Sequence, residues 1–126
     1  MREVKFRGYS IDDKCWITGY GVEKITEDGF FIPTGCANDT YEVFKESIGE
    51  YTGEKDINGI EIYEGDIVET TRELNHTIGV VTYYKASWYI KTNKGNHTRL
   101  IPRFSTVENK VIGNVFEENK KILEGK

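Results

Sequence analysis

The chain has 126 residues, 30% of them charged and 13% aromatic, with eight tyrosines and a formal net charge of −4. That length suits one domain able to bury its own core without metal or disulfide staples. No run approaches the ~18 apolar residues of a membrane helix, and no apolar segment follows the charges of Met1 to Arg7, so neither a membrane span nor a secretory leader is expected and a cytosolic location is.

Thirteen glycines break the chain into short runs rich in Val, Ile, Thr, Tyr and Phe, a pattern of many short strands. Residues 6–11 and 15–25 read as strands around a turn at Asp12-Asp13-Lys14. In the second, Gly19 and Gly21 share one parity, which points to a bend or a close neighbour. Residues 30–32 form a strand stopped by Pro33, 35–40 a loop, and 41–44 another strand, with at most a helical turn at 45–48. Asn58-Gly59 lies between Ile57 and Ile60, a strong turn signal because both residues accept positive φ. Glu61-Ile62-Tyr63 follows, then a tight turn at Glu64-Gly65-Asp66 and a strand over 67–71.

Residues 72–77 read as a polar loop. Two long strands come next, 78–85 and 87–92. Val81 and Tyr83 face one way and Val80, Thr82 and Tyr84 the other; Trp88 and Ile90 oppose Tyr89 and Lys91. A turn at 93–96 leads to Leu100-Ile101, a strand limited by Pro102. Residues 111–116 form the last strand and 117–123 one or two helical turns. A seam near 52–55 separates an N-terminal β element from the rest of a single domain.

Charge is unevenly spread. No acidic residue lies between Glu73 and Glu108, a stretch holding Lys85, Lys91, Lys94, Arg99 and Arg103. The stretch from Glu54 to Glu73 is acid-rich instead. This polarity is the most informative compositional feature. The two cysteines, Cys15 and Cys36, lie in no CxxC and beside no histidine, and are expected to be free thiols.

The run Gly49-Glu50-Tyr51-Thr52-Gly53-Glu54-Lys55-Asp56-Ile57-Asn58-Gly59-Ile60-Glu61-Ile62-Tyr63-Glu64-Gly65-Asp66-Ile67-Val68 resembles the signature of the YopX family. Lys5-Phe6-Arg7-Gly8 with Trp16 and Gly19-Tyr20, and Val111-Ile112-Gly113-Asn114-Val115-Phe116-Glu117, are similar to the family's two ends. The resemblance implies a phage or prophage origin in a bacterial host, a β-rich fold with an SH3-like barrel, and homo-oligomers. It implies no activity. A motif of turns and core residues specifies a fold, whereas function belongs to a site.

Four candidate sites follow from the residues. Glu61, Glu64, Asp66 and Glu69 could offer carboxylates to a divalent cation, but the spacing lacks a dense loop of oxygen ligands and reads as a solvated strand face. His76 and His97 lack a nucleophile or orienting partner, and Ser47, Ser87 and Ser105 lack an elbow context. The glycines form no phosphate loop. The sharpest candidate interleaves Lys85, Lys91, Lys94, Arg99 and Arg103 with Tyr83, Tyr84, Trp88, Tyr89 and Phe104. Cations attract phosphates and exposed rings stack bases, a recipe for single-stranded nucleic acid.

The opposing reading puts Trp88 and several tyrosines in the core and pairs the cations with the acid-rich stretch. The preferred expectation is a mostly β, non-enzymatic protein without metal or cofactor, acting through self-association or an unidentified protein partner. The alternative is a nucleic-acid-binding small barrel using Lys85, Trp88, Tyr89, Lys91, Lys94, Arg99 and Arg103.

Overall fold

The structure, a computed structural model, describes residues 4–27, 29–34, 39–92, 95, 97–100 and 107–124, with side chains of the C-terminal helix described as far as Asn119. It divides into two compact units, residues 1–51 and 52–126.

In the first unit, β1 (Phe6–Tyr9) pairs antiparallel with β2 (Trp16–Gly19), and β3 (Glu23–Lys24), β4 (Phe30–Pro33) and β5 (Thr40–Val43) form a second antiparallel sheet in that order. The expected strand over 15–25 is therefore two pieces on two sheets. Gly19 shows why: a Cβ there would collide with the Pro33 carbonyl oxygen and lie 2.6 Å from Ile32. A Cβ on Gly8 would lie 2.9 Å from Ile32 and Val43, so β1 and β2 approach β4 and β5 only because side chains are missing. A 3-10 turn at Lys45–Ser47 follows, and the Tyr9 N–H donates to Ser47 Oγ at 2.7 Å. The first residues of β6 (Gly49–Lys55) pair with β1.

In the second unit, the end of β6 lies beside β7 (Glu61–Tyr63), with Thr52 Oγ1 donating to the Ile62 carbonyl at 2.8 Å. Burial pushes the Glu54 carboxyl above its ordinary range, so its ionisation opposes the fold as pH rises. Then come β8 (Asp66–Arg72), β9 (Asn75–Tyr84), β10 (Ser87–Lys91), β11 (His97–Arg99) and β12 (Val107–Asn114), an antiparallel sheet in the order β11-β10-β9-β8-β12. One face carries the core of Ile62, Val68, Val81, Ile90 and Leu100, with Trp88 and Val111 packed against it. The expected parity of the two long strands holds: Val81 pairs with Ile90 and Tyr83 with Trp88 on the core side.

Three expectations need correction. Residues 72–77 form no loop. Arg72 pairs with Asn75, leaving a two-residue turn at Glu73-Leu74, and His76 sits within β9. The last strand ends at Asn114, whose Oδ1 accepts the Glu117 N–H at 2.9 Å and so caps α1 (Val115–Glu124), a helix that starts before the expected 117. The implied SH3-like barrel is not closed among the described residues. β11 is only three residues long, and the free edge of β12 is occupied by the turn at 56–60, which donates from the Ile57 N–H to the Asn109 carbonyl at 2.8 Å.

That turn is held by Asp56, 2% exposed. Its Oδ1 accepts the N–H groups of Asn58 and Ile60 at 2.8 and 2.9 Å, and Oδ2 accepts that of Val111 at 3.0 Å. Gly59 has φ +81, as expected for the Asn-Gly turn. Asp56→Ala strands three backbone donors and should lower unfolding free energy by roughly 3 kcal/mol or more. Asp56→Asn keeps the shape but turns one acceptor into a donor, and should cost less than the alanine. Urea midpoints of the three proteins test this order; an alanine variant as stable as wild type contradicts it.

Candidate interaction face

The face of the five-stranded sheet opposite the core is built by strand parity. Register places Ser87, Tyr89 and Lys91 of β10 against Tyr84, Thr82 and Val80 of β9, and His97 and Arg99 of β11 against Lys91 and Tyr89. On the other side of β9, Ile67, Glu69 and Thr71 of β8 face Val80, Ile78 and His76, and β12 adds Glu108 and Lys110. Helix α1 comes back towards the β8–β12 corner, where a Cβ on Gly113 would meet the Glu118 carboxylate and Ile67 at 3.8 and 3.9 Å.

The two ends of this face differ chemically. Around the β9–β10 hairpin the Tyr84 and His97 rings stack at 4.5 Å and 17°, and Tyr89 stands edge-on to both, at 5.7 and 6.1 Å. Cations surround this trio. Lys85 Nζ lies 5.3 Å from the Tyr84 ring centroid, Arg99 Nη2 donates to Ser87 Oγ at 3.4 Å, and Lys85, Lys91 and Arg99 are exposed. At the opposite end, Leu74 at the β8–β9 tip is 93% exposed and Ile78 53%, beside His76, whose Nδ1 lies 3.9 Å from the Glu69 carboxylate.

Of the expected site residues, Lys85, Tyr89, Lys91 and Arg99 thus share one exposed corner. Trp88 does not: it belongs to the core side, edge-on to Tyr83 at 4.9 Å, because Trp88 and Tyr89 are adjacent on a pleated strand and face opposite ways. Lys94, Arg103 and Phe104 lie outside the described residues. Sequence reading missed His97 as a ring of the cluster, although its place two residues before Arg99 gives both the same parity. It also missed Leu74, hidden in a run taken for a polar loop.

The acidic candidates are dispersed into separate duties. Asp66 is buried and its Oδ2 accepts the Tyr63 N–H at 2.8 Å, Glu61 accepts the Tyr63 hydroxyl at 2.9 Å, and Glu69 lies on the outer face. Among the described residues no cluster of His, Cys, Asp and Glu is placed to hold a metal ion. Cys15 is a free, exposed thiol, and Cys36 lies outside the described residues. Among the described residues no helix is long and apolar enough to cross a membrane.

These features define a mostly β protein whose distinctive surface is an open sheet face. The chain belongs to the YopX family: the family profile, described as YopX protein, matches residues 5–124. No curated protein matches the chain.

The hairpin tip beside the ring cluster is strained. Lys85 and Ala86 have φ 47 and 63, the left-handed pair of a type I′ hairpin turn, which Asn-Gly adopts at far lower cost. Replacing both, Lys85→Asn with Ala86→Gly, should raise unfolding free energy by about 1–2 kcal/mol. Thermal unfolding followed by circular dichroism checks this; a lower melting temperature would show that Lys85 and Ala86 contribute compensating contacts.

Proposed function

We propose that this chain works by association rather than by chemistry on a substrate, as a homo-oligomer in the cytoplasm of a bacterium carrying phage or prophage. The setting and the oligomer follow from the family resemblance. The observation that carries the self-association reading is the pair Leu74 and Ile78, two large aliphatic side chains held in water at one end of the open face. Burying a leucine or isoleucine against a partner gains about 1.5–3 kcal/mol per side chain, so a subunit interface centred there has a driving force.

A second copy is the occupant that fits best. Glu69 and Lys110 are cross-strand neighbours, and Glu108 pairs in register with Thr71 beside His76, so the rim of the patch carries both signs. A two-fold contact presents the same patch from both sides, and a mixed-sign rim can then complement itself. Charge there sets orientation more than affinity, while apolar burial supplies the stability.

Light scattering coupled to gel filtration tests this. The full chain should give a defined mass above the 14.5 kDa protomer, reduced little by salt. Leu74→Ser with Ile78→Ser should shift it towards the protomer without lowering the melting temperature of the dissociated chain, since both side chains are exposed. A 14.5 kDa species at every concentration would overturn the reading.

A further inference from the structure

We propose that the basic-aromatic corner of the sheet, formed by Tyr84, Tyr89 and His97 with Lys85, Lys91 and Arg99, binds single-stranded nucleic acid. The rings come first. Tyr84 and His97 already lie parallel and Tyr89 braces both from the side, so the cluster is ordered before any ligand arrives. Little side-chain entropy then remains to be lost on binding. His97 and Tyr84 are exposed, the latter at 41%, and every base has a π face that can stack on such rings irrespective of sequence.

The cations come next, and their placement is not scattered. Arg99 lies opposite Tyr89 and Lys91 opposite His97 in the ladder, so each of two rings has a cation as its cross-strand neighbour. Lys85 reaches the third ring from the hairpin tip. No acidic residue occurs between Glu73 and Glu108, and the carboxylates of this face, Glu69 and Glu108, lie towards its other end. The corner is therefore locally cationic although the whole chain carries −4. A phosphodiester chain running from the hairpin tip across β10 and β11 would meet Lys85 at the tip, Lys91 on β10 and Arg99 on β11 while its bases stack on the rings.

The hairpin tip holds Lys85 and Ala86 in the left-handed region. Keeping a lysine at the tip places an ammonium beside Tyr84. A single strand is favoured over a duplex because the surface offers rings, which need unpaired bases.

The test uses the full chain and a fluorescein-labelled oligothymidylate of about twelve residues, within the usual site size of sheet-face binders. Fluorescence anisotropy should report binding at about 50 mM salt, with a log–log salt slope near −2 per protomer for three phosphate contacts. Lys91→Gln with Arg99→Gln should lower affinity at least tenfold and flatten that slope, with the melting temperature unchanged. Tyr89→Ala should weaken binding about tenfold and leave the slope alone. The same oligomer annealed into a duplex should bind more weakly.

Three results would overturn the proposal: no binding at low salt, binding indifferent to the two cation substitutions, or equal affinity for heparin with no effect of Tyr89→Ala, which would mark a general polyanion surface. The Leu74→Ser, Ile78→Ser variant separates this from self-association. It should keep the protomer's binding and salt slope, so failure of either claim leaves the other readable.

Discussion

The second unit depends on one buried carboxylate. Asp56 gathers three backbone N–H groups, two from its own turn and one from Val111, 55 residues further along the chain. Each is a charge-assisted bond in a place where the donor would otherwise face no acceptor. The turn at 56–60 is thereby pinned against β12, and the Ile57 N–H finds the Asn109 carbonyl. Asn109 in turn accepts the Thr70 hydroxyl at 2.8 Å inside the core. The edge of the sheet is covered by this arrangement rather than paired with another strand, which leaves the sheet open and its outer face available.

An open sheet has two faces with different fates, and alternation along each strand sorts the side chains between them. Val81, Ile90 and Trp88 go to the core; Tyr84, Tyr89, Lys91 and Arg99 go outward. The outward side is then divided along its length. Exposed aliphatics gather near the β8–β9 tip and rings with cations near the β9–β10 tip. Both tips contain a non-glycine residue at positive φ, Glu73 in one and Lys85 with Ala86 in the other. The local conformation at each tip is held by the ladders on either side of it, Arg72 with Asn75 and Tyr84 with Ser87, at the expense of what those residues prefer.

Much of the fold was legible in the sequence because period-two patterns depend only on local order. The parity of Val81, Tyr83, Trp88 and Ile90, the Asn58-Gly59 turn and the run of basic residues on adjacent strands were all readable. What was not legible depended on distant partners or on turns that ignore propensity. Nothing in Glu73-Leu74 marks a two-residue hairpin; pairing of β8 with β9 imposes it. The role of Asp56 needs Val111, which no local window contains. The parity that separates Trp88 from Tyr89 was readable; only the nucleic-acid candidate, which grouped the two by composition, set it aside. The barrel implied by resemblance needs two free edges, and the Asp56 turn removes one.

Asp56 is the tie between the 56–60 turn and β12. Hydrogen exchange of the Ile60 and Val111 amides tests it directly, since both protons point at that carboxylate. They should exchange only when the unit opens as a whole, with protection close to that of Val81 and Ile90 in the central strands. Exchange as fast as at the exposed Leu74 or Lys85 tips would mean that the carboxylate does not hold them, and would contradict it.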